Sequence, residues 1–380
     1  MKSKIAIITS GHFLFDERIY WKFGLTLFGN GYDVYIISST EDNKLSVNGI
    51  NIIGFPGNNL TKKEKISRLL KELLYISPNF IICCEPITIL PSYIFKKRHN
   101  NNCKIICDIT EWYPENITSK KTGLKKFLAF IFLTLFNIIL NNLSDALIIG
   151  EVTKQRRYDI ISPFKKKIII GYYPVLRFFA YSPPEFDGKN LTLCYAGLVS
   201  FQRGIITLVE IAELLSEKFK NINIKVKIIG KFQSSVEEKE FDDIVTKSTN
   251  ITIEKSGWTE YNNISNLIKE VDICFDLRDR NFIYNNSLPI KIFEYMAAGK
   301  PFIFSDIKPI RTELGEINCG FLVDPVDKKE IALKVEEFIL NPGLLKLHAK
   351  NGRAIIENGK NWEKESEKLI SFLEQLAKFK

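Results

Sequence analysis

The chain has 380 residues, 45% of them hydrophobic, which is enough to build two separate cores. Its seven cysteines are an odd number without framework spacing, which argues against a disulfide scaffold and fits a reducing cytoplasm. Residues 1–180 carry 25 Lys and Arg against 14 Asp and Glu, whereas the remainder carries 28 against 30. This basic first half suits an anionic partner, such as a membrane surface, a lipid phosphate or a nucleic acid, unless it reflects only the residue bias of an AT-rich genome.

Short apolar runs alternate with helical stretches along the whole chain. The first run, KIAIITS, begins at Lys4 and predicts a strand in place of a signal peptide. Similar runs follow: YDVYIIS, FIICC, KIICDI, ALIIG, KIIIGYY, LTLCYAG, IKVKIIG, DICFDL, PFIFSD and GFLVDP. Helical stretches such as RIYWKFGLTLFGNG and ITLVEIAELLSEKF lie between them. Strands that alternate with helices predict parallel sheets covered on both faces.

A segment rich in proline and polar residues, 181–190, separates two series of such runs. We therefore predict two doubly wound α/β domains, residues 1–180 and 181–362, followed by a helix over 363–380. Ligands of such sheets bind beyond the carboxyl ends of the strands. Two sheets that face each other would leave a cleft between them.

Residues 127–144, FLAFIFLTLFNIILNNLS, interrupt the alternation because they contain no charge. Four lysines lead into the segment: Lys120, Lys121, Lys125 and Lys126. Its polar members recur at steps of three, four and three, and so form one narrow stripe: Thr134, Asn137, Asn141 and Ser144. Length alone makes the segment a borderline transmembrane candidate, but the α/β alternation on both sides favours a helix that packs on the sheet and dips into the lipid interface. A helix buried between protein elements is the alternative.

The turn after the first strand carries the first candidate site. Gly11 permits a tight turn beside His12, and Asp16 and Arg18 then open a helix. Backbone amides at such a helix start can meet an anion. We therefore count His12, Asp16 and Arg18 among the candidate site residues.

Three further turns follow strands of the second domain. Gly197 ends one strand, and Arg203 and Gly204 precede the next helix, where the guanidinium can reach a phosphate and the glycine permits close backbone approach. Gly230 ends the following strand. Trp258 follows a glycine and offers a flat surface to a base, although such a tryptophan is more often packed in a core.

Residues 287–306, SLPIKIFEYMAAGKPFIFSD, place Lys291 and Glu294 three apart at the start of a predicted helix. On one face of the helix, the lysine can pair with a diphosphate and the glutamate can accept hydrogen bonds from a ribose diol. Asn286, Ser287 and Leu288 precede it and offer amides to a transferred group. Each signal is modest alone, whereas the order of all four motifs is more specific.

With its motifs in this order, the chain resembles the retaining glycosyltransferases of the GT-B fold over nearly its whole length. These enzymes belong to the group called glycosyl transferases group 1 (family 4-like). The resemblance is carried by FDERIYWK, DITEWYPE, YAGLVSFQRGI, SLPIKIFEYMAAGKP and NWEKESEKLISFL. It implies that Arg203 and Lys291 bind the diphosphate of a sugar nucleotide and that Glu294 binds the ribose. It also implies that the Gly11 loop lies near the phosphates and the transferred sugar, and that the last helix returns to the first domain. With that loop, we assign His12, Asp16 and Arg18 to the acceptor side.

Two positions depart from the family pattern. The family often has a glutamate that contacts the donor sugar where this chain has Asn286, and a histidine where it has Thr110. Asp108 and Glu111 flank that second position and are our further candidates for catalytic residues, with His12 on the other loop.

These features predict transfer of a sugar from a nucleoside diphosphate sugar to a hydroxyl, with Arg203, Lys291 and helix amides stabilising the leaving diphosphate. We expect no cofactor and no metal, since there is no Asp-x-Asp motif and Cys103 and Cys107 have no companion pair. A glycan or a lipid-diphosphate-linked saccharide, as in capsule or O-antigen assembly, is the expected acceptor. We expect a cytoplasmic protein, peripheral on an anionic membrane, with no nucleic acid partner.

Two other classes of function stay open. A nicotinamide-dependent dehydrogenase would share doubly wound domains but should show G-x-G-x-x-G after a strand, which these turns lack. A non-catalytic partner subunit with the same fold is consistent with Asn286 and Thr110.

Overall fold

The computed structural model describes residues 2–119, 121–246, 248 and 250–378. The chain divides into two compact units, one formed by Met1–Tyr172 with Trp362–Lys380 and the other by Tyr173–Asn361. The first junction therefore lies a few residues before the position predicted from the sequence.

The strands of the first unit are β1 (Lys4–Thr9), β2 (Asp33–Ser38), β3 (Lys44–Val47), β4 (Ile50–Gly54), β5 (Phe80–Cys83), β6 (Lys104–Ile109), β7 (Ala146–Ile149) and β8 (Lys166–Ile169). Those of the second unit are β9 (Asn190–Ala196), β10 (Asn223–Ile229), β11 (Thr252–Lys255), β12 (Ile273–Asp276), β13 (Phe302–Ser305) and β14 (Gly320–Val323).

The helices of the first unit are α1 (Leu25–Gly29), α2 (Lys62–Ile76), α3 (Pro86–Arg98), α4 (Glu115–Thr118), α5 (Gly123–Leu143), α6 (Val152–Ile161) and α15 (Trp362–Lys378). A π-helix, Glu17–Gly24, runs directly into α1. The helices of the second unit are α7 (Ile205–Lys218), α8 (Ser235–Val245), α9 (Ile264–Ile268), α10 (Phe282–Asn286), α11 (Lys291–Ala297), α12 (Lys308–Leu314), α13 (Lys328–Leu340) and α14 (Pro342–Glu357). Short 3-10 turns lie at Leu176–Phe178, Phe201–Arg203 and Tyr261–Asn263.

The sheet of the first unit has the strand order β3-β4-β2-β1-β5-β6-β7-β8. All neighbouring pairs are parallel except β3 with β4. On β1, Ile7 pairs with Ile36 of β2 on one side and with Ile82 of β5 on the other, and all three are fully buried. Apolar runs of this kind satisfy a strand whose two faces are both covered. The strand order reverses between β1 and β5, which is where such sheets bind ligands.

The edge hairpin β3–β4 was not predicted. Its strands are joined by Asn48 and Gly49, both with positive φ (51° and 79°), a two-residue turn whose twist matches that of the strands it joins. Along β3, exposed side chains alternate with partly buried ones. The hairpin therefore lacks the continuous apolar run that marks the central strands.

The sheet of the second unit is parallel throughout, with the order β11-β10-β9-β12-β13-β14. Its order reverses between β9 and β12, so the turns after these two strands frame the expected binding position. Both units confirm the predicted α/β class with doubly wound sheets. The short edge strand β11 was not predicted, because its four residues are only partly buried.

All seven cysteines are buried, and none forms a disulfide. Cys83 lies beside Cys107 on neighbouring strands, and Cys194 lies beside Cys274. Burial raises the pKa of the Cys83 thiol to about 12, although hydrogen bonds with Ser92 and Thr88 oppose the shift. These cysteines therefore behave as small hydrophobic residues.

The last helix, α15, packs within the first unit. The Trp362 indole donates a hydrogen bond to the Thr26 hydroxyl (2.8 Å), and its ring lies 5.7 Å from that of Phe23. Glu365 accepts a hydrogen bond from the amide of Gly171 (2.7 Å). Residues 379 and 380 of the predicted helix lie outside the described residues.

The uncharged segment forms the larger part of α5. Among the described residues, α5 is long and apolar enough to cross a membrane by length and composition. Of the four lysines predicted to precede it, Lys120 lies outside the described residues, whereas Lys121, Lys125 and Lys126 are exposed.

Candidate active site

Two glycines end adjacent strands of the second sheet, and the first of these strands, β9, borders the reversal point. Gly197 (φ 136°) follows β9 and Gly230 (φ 134°) follows β10. A Cβ atom on Gly230 would lie 1.9 Å from the carbonyl oxygen of Gly197, and one on Gly197 would lie 2.0 Å from Cε of Lys291. Only glycine permits both the backbone conformation and the approach of the lysine side chain. The predicted motifs at Gly197, Gly230 and Lys291 therefore meet.

The helix α11 is fixed against the end of β9. The Tyr295 hydroxyl accepts a hydrogen bond from the amide of Ala196 (2.8 Å) and donates one to its carbonyl oxygen (3.3 Å). Glu294 is buried on this helix, and Lys291 at its first position is half-buried. Because α11 is anchored at its middle, both charged residues are held at the carboxyl end of the sheet.

Arg203 ends the 3-10 turn after β9, and Gly204 (φ 74°) joins that turn to α7. A Cβ atom on Gly204 would lie 2.4 Å from the carbonyl oxygen of Leu277, so the turn packs directly on the end of β12. Nε of Arg203 is buried and has no hydrogen-bond partner among the described residues. Burial alone would lower the pKa of Arg203, but Tyr195 and Asp276 outweigh it and hold that pKa above its ordinary value.

A second arginine at this position was missed by sequence reasoning. Arg278 follows β12 and donates to both carboxylate oxygens of Asp276 at 2.8–3.0 Å, and both residues are buried. The Tyr284 ring lies 5.6 Å from the guanidinium carbon of Arg278 and 5.9 Å from that of Arg203. The available signal was an Asp-x-Arg sequence at the end of an apolar strand.

The remaining candidates of the second unit lie at the end of α10, in the segment that joins it to α11, and in the loop after β11. The Asn286 side chain donates to the carbonyl oxygen of Phe282 (2.8 Å). The Ser287 amide, predicted to be available to a transferred group, instead donates to Ile283 (2.9 Å), because it closes the last turn of α10. Leu288 connects this turn to α11. Trp258 is 66% exposed in the loop after β11.

In the first unit, the turn after β1 meets a carboxylate of the same chain. Glu85, at the end of β5, accepts hydrogen bonds from the Thr9 hydroxyl (2.5 Å) and from the amides of Ser10 (2.8 Å) and Gly11 (3.1 Å). The amides predicted to meet a ligand anion therefore already bind Glu85. Sequence reasoning missed this residue, because its contacts follow from the pairing of β1 with β5.

His12 lies between carboxylates. Its Nδ1 is 3.2 Å from Asp16 Oδ2, and its Nε2 is 3.8 Å from Glu85 Oε1. Burial would lower the pKa of His12, but Asp16, Glu85 and the exposed Glu111 outweigh it and raise that pKa to about 9. Burial would also raise the pKa of Asp16, but the hydrogen bond with His12 outweighs it and lowers that pKa. His12 is therefore an imidazolium at neutral pH.

Asp108 and Arg18, predicted as a catalytic and an acceptor-side residue, bind each other. Nε and Nη2 of Arg18 each lie 2.7 Å from an oxygen of Asp108, and both side chains are buried. The Arg18 guanidinium also lies over the rings of Phe23 (4.6 Å) and Tyr172 (4.2 Å). This pair neutralises its own charge inside the first unit. Within the described ranges, no group of three or more His, Cys, Asp or Glu residues could hold a metal ion.

The fold is similar to that of known enzymes at low sequence identity. The sucrose-phosphate synthase of Thermosynechococcus elongatus has a TM-score of 0.77 and 14% identity, over 99% of each chain. Anabaena HepE in complex with UDP-glucose has a TM-score of 0.73 and 12% identity, over 98% of this chain and 99% of that one. WaaG, a glycosyltransferase involved in lipopolysaccharide biosynthesis, has a TM-score of 0.70 and 12% identity, over 96% and 98%.

None of the curated proteins matches the chain. The sequence model of the family described as "Glycosyl transferases group 1" matches residues 181–374, about half of the chain. That range contains the turns at Gly197, Arg203 and Gly230 and the helix that carries Lys291 and Glu294. This protein therefore belongs to the glycosyl transferases group 1 family.

Proposed function

We propose that this glycosyltransferase moves a hexosyl or related sugar from a nucleoside diphosphate sugar to a hydroxyl of a glycan or lipid-linked acceptor in bacterial surface polysaccharide synthesis, with retention of configuration. The observation that carries the proposal is that Lys291 lies against Gly197 at the end of β9, the strand whose following turn carries Arg203. This is the position at which doubly wound sheets bind nucleotides.

The chemistry needs positive charge where the leaving group becomes negative. As the bond from the sugar to the diphosphate breaks, the diphosphate gains charge that Lys291 and Arg203 stabilise electrostatically. Both side chains are partly buried, which lowers the screening by water and so strengthens this interaction. Arg278 already has Asp276 as its counterion. We therefore propose that Arg278 holds Tyr284 and Arg203 in position and does not itself bind the diphosphate. With two cations of the chain at the diphosphate, we propose that transfer requires no metal and no cofactor.

The donor is proposed to lie along α11 and its neighbouring loops. Glu294, one turn after Lys291, accepts hydrogen bonds from the ribose hydroxyls, and the exposed Trp258 offers its face to the base. Asn286 contacts the transferred sugar. UDP-glucose in the structurally similar HepE favours a uridine nucleotide as the first donor to test.

The acceptor side is proposed to involve the Gly11–His12 turn of the first unit. The His12 imidazolium is already paired with carboxylates, so the support for a lipid-diphosphate-linked saccharide is the basic charge of residues 1–180. The similarity to WaaG supports a surface polysaccharide as the product, as in capsule or O-antigen synthesis.

Calorimetry with UDP, GDP and ADP tests the donor site first. Lys291→Ala and Glu294→Gln should each weaken nucleotide binding by about 1.5–3 kcal/mol, the value of a charge-assisted hydrogen bond. The exposed Lys308→Ala in the same unit is the matched control and should bind as the wild type does. Wild-type protein that binds none of the nucleotides would contradict the proposal.

Transfer is tested with the donor selected in this way and a set of lipid-linked and free glycans. NMR of the product should show the anomeric configuration of the donor, and EDTA should leave the rate unchanged. Tight nucleotide binding with neither hydrolysis nor transfer would identify a non-catalytic partner subunit, the alternative favoured by Asn286 and Thr110.

A further inference from the structure

The helix α5 exposes an apolar face along most of its length. It has 21 residues and is roughly 30 Å long, and only 11% of its most apolar 18-residue stretch is buried. Six large apolar side chains are between 57% and 71% exposed: Leu124, Phe127, Leu128, Phe132, Leu135 and Ile139. Apart from the adjacent pair Phe127 and Leu128, they recur at steps of three and four residues, which places them on one side of the helix.

Two asparagines in the second half of α5 face the protein instead, whereas Asn142 is exposed. Asn137, Asn141 and the following Ser144 are buried. The Asn141 amide donates to Asn137 Oδ1 (3.1 Å), and the Cys107 thiol donates to Asn141 Oδ1 (3.6 Å). A surface helix in water has the opposite arrangement, with apolar residues inside and polar residues outside. The polarity of α5 is therefore suited to an apolar environment outside the protein.

Packing keeps α5 attached to the first unit along its second half. Leu140 is fully buried in the core of this unit, and Phe136 and Leu143 pack against the same cluster. A helix that crosses a bilayer would have to withdraw these side chains from the core. A helix that lies in the plane of the interface needs no such change, because it submerges only its outer face.

The charges around α5 match an anionic surface. Lys121, Lys125 and Lys126 are exposed at its start, and residues 116–144 contain no Asp or Glu. Phosphate headgroups complement this cluster. A second copy of the chain would present the same face, and so the same positive charge, in a two-fold interface. The charge pattern therefore favours a membrane over self-association.

We infer that α5 docks the first unit on an anionic bilayer, with its apolar side chains at the acyl boundary and its lysines among the headgroup phosphates. The docking surface comprises residues 121–139. It is independent of nucleotide binding, so its test is a binding measurement that does not depend on activity.

Co-sedimentation with vesicles tests the electrostatic part. The protein should bind vesicles of phosphatidylglycerol and phosphatidylcholine, bind pure phosphatidylcholine less, and dissociate as salt rises. K125Q/K126Q should lower the partition coefficient about fivefold per lysine. K62Q/K63Q, at the exposed start of α2, is the matched control and should bind as the wild type does. Wild-type protein that stays in the supernatant at low salt would overturn the inference.

A polarity-sensitive dye tests insertion. Because the seven native cysteines are buried, Leu128→Cys can be labelled selectively, with Leu340→Cys on α13 as the exposed control. Vesicles should shift the emission of the label at 128 to shorter wavelength and leave that at 340 unchanged. The inference fails if vesicles leave both emissions unchanged and light scattering shows a lipid-free dimer that the F132S substitution makes monomeric. In that case α5 is an interface between two copies of the protein.

Discussion

Two arginines, one in each unit and each with its Nε buried, show opposite uses of a guanidinium. Arg18 in the first unit has a bidentate carboxylate partner in Asp108 and two aromatic rings beside it. Arg203 in the second unit has a pKa raised above its ordinary value, yet its Nε has no hydrogen-bond partner among the described residues. A buried donor without a partner is costly unless a ligand supplies one. The pair teaches that Arg18 is satisfied inside its own unit, whereas Arg203 keeps one buried donor without a partner among the described residues, as our proposed anion site requires.

The largest expected effect is on the stability of the first unit. Arg18→Ala leaves the Asp108 carboxylate buried without its partner, which should lower the free energy of unfolding by about 3–5 kcal/mol. Urea unfolding followed by circular dichroism measures this change, and Arg98→Ala on the surface is the control. Equal free energies of unfolding in the two variants would show that the Arg18–Asp108 pair does not stabilise the first unit.

The second effect is on ligand binding. Arg203→Ala removes a charge-assisted hydrogen bond, so nucleotide affinity should fall by about 1.5–3 kcal/mol, roughly 10- to 150-fold, with little change in stability. Arg203→Lys should recover part of it, because a point charge replaces a planar fork. Calorimetry and urea unfolding on the same samples separate the two readouts. If the alanine variant binds nucleotide as tightly as the wild type does, Arg203 does not contact the ligand and does not differ from Arg18 in this respect.

The third effect sharpens the role of Gly197. Gly197→Ala should displace Lys291 and also strain the backbone, at a cost of about 1–3 kcal/mol for the strain alone. Gly359→Ala has nearly the same φ (139°) but no atom within 4 Å of the added Cβ, so it carries the strain alone. Both variants should lose similar stability, whereas only Gly197→Ala should lose nucleotide affinity in calorimetry. Equal affinities would show that the lysine accommodates the methyl group.

The smallest effect concerns a single proton in the first unit. Asp16→Asn keeps a good helix cap but removes the charge beside His12, so the pKa of His12 should fall from about 9 towards its ordinary value. Because that pKa is raised on folding, the wild type should lose this stabilisation as pH rises from about 6.5 through 9. NMR titration of the imidazole measures both variants, with His348 as the internal control. A wild-type midpoint near 6.5 would contradict the proposed charge state.

The central strands and the turns that follow them were predictable, because strands buried on both faces require continuous apolar runs and their ends place Gly197, Arg203 and Lys291 together. The hairpin β3–β4 and the strand β11 were missed, since half-exposed edges carry no such pattern. Glu85 was missed for another reason. Its partner Thr9 is 76 residues away, and only the pairing of β1 with β5 brings the two together. Likewise, the sequence located the polar stripe of α5 but not the direction in which it faces.

The placement of α15 has a consequence for the order in which the protein is made. The residues that complete the first unit, from Trp362 onward, are synthesised after the whole of the second unit. On the ribosome, residues 173–361 can therefore fold while the first unit still lacks the indole bonded to Thr26 and the carboxylate bonded to Gly171. The first unit begins synthesis first and reaches its final structure last.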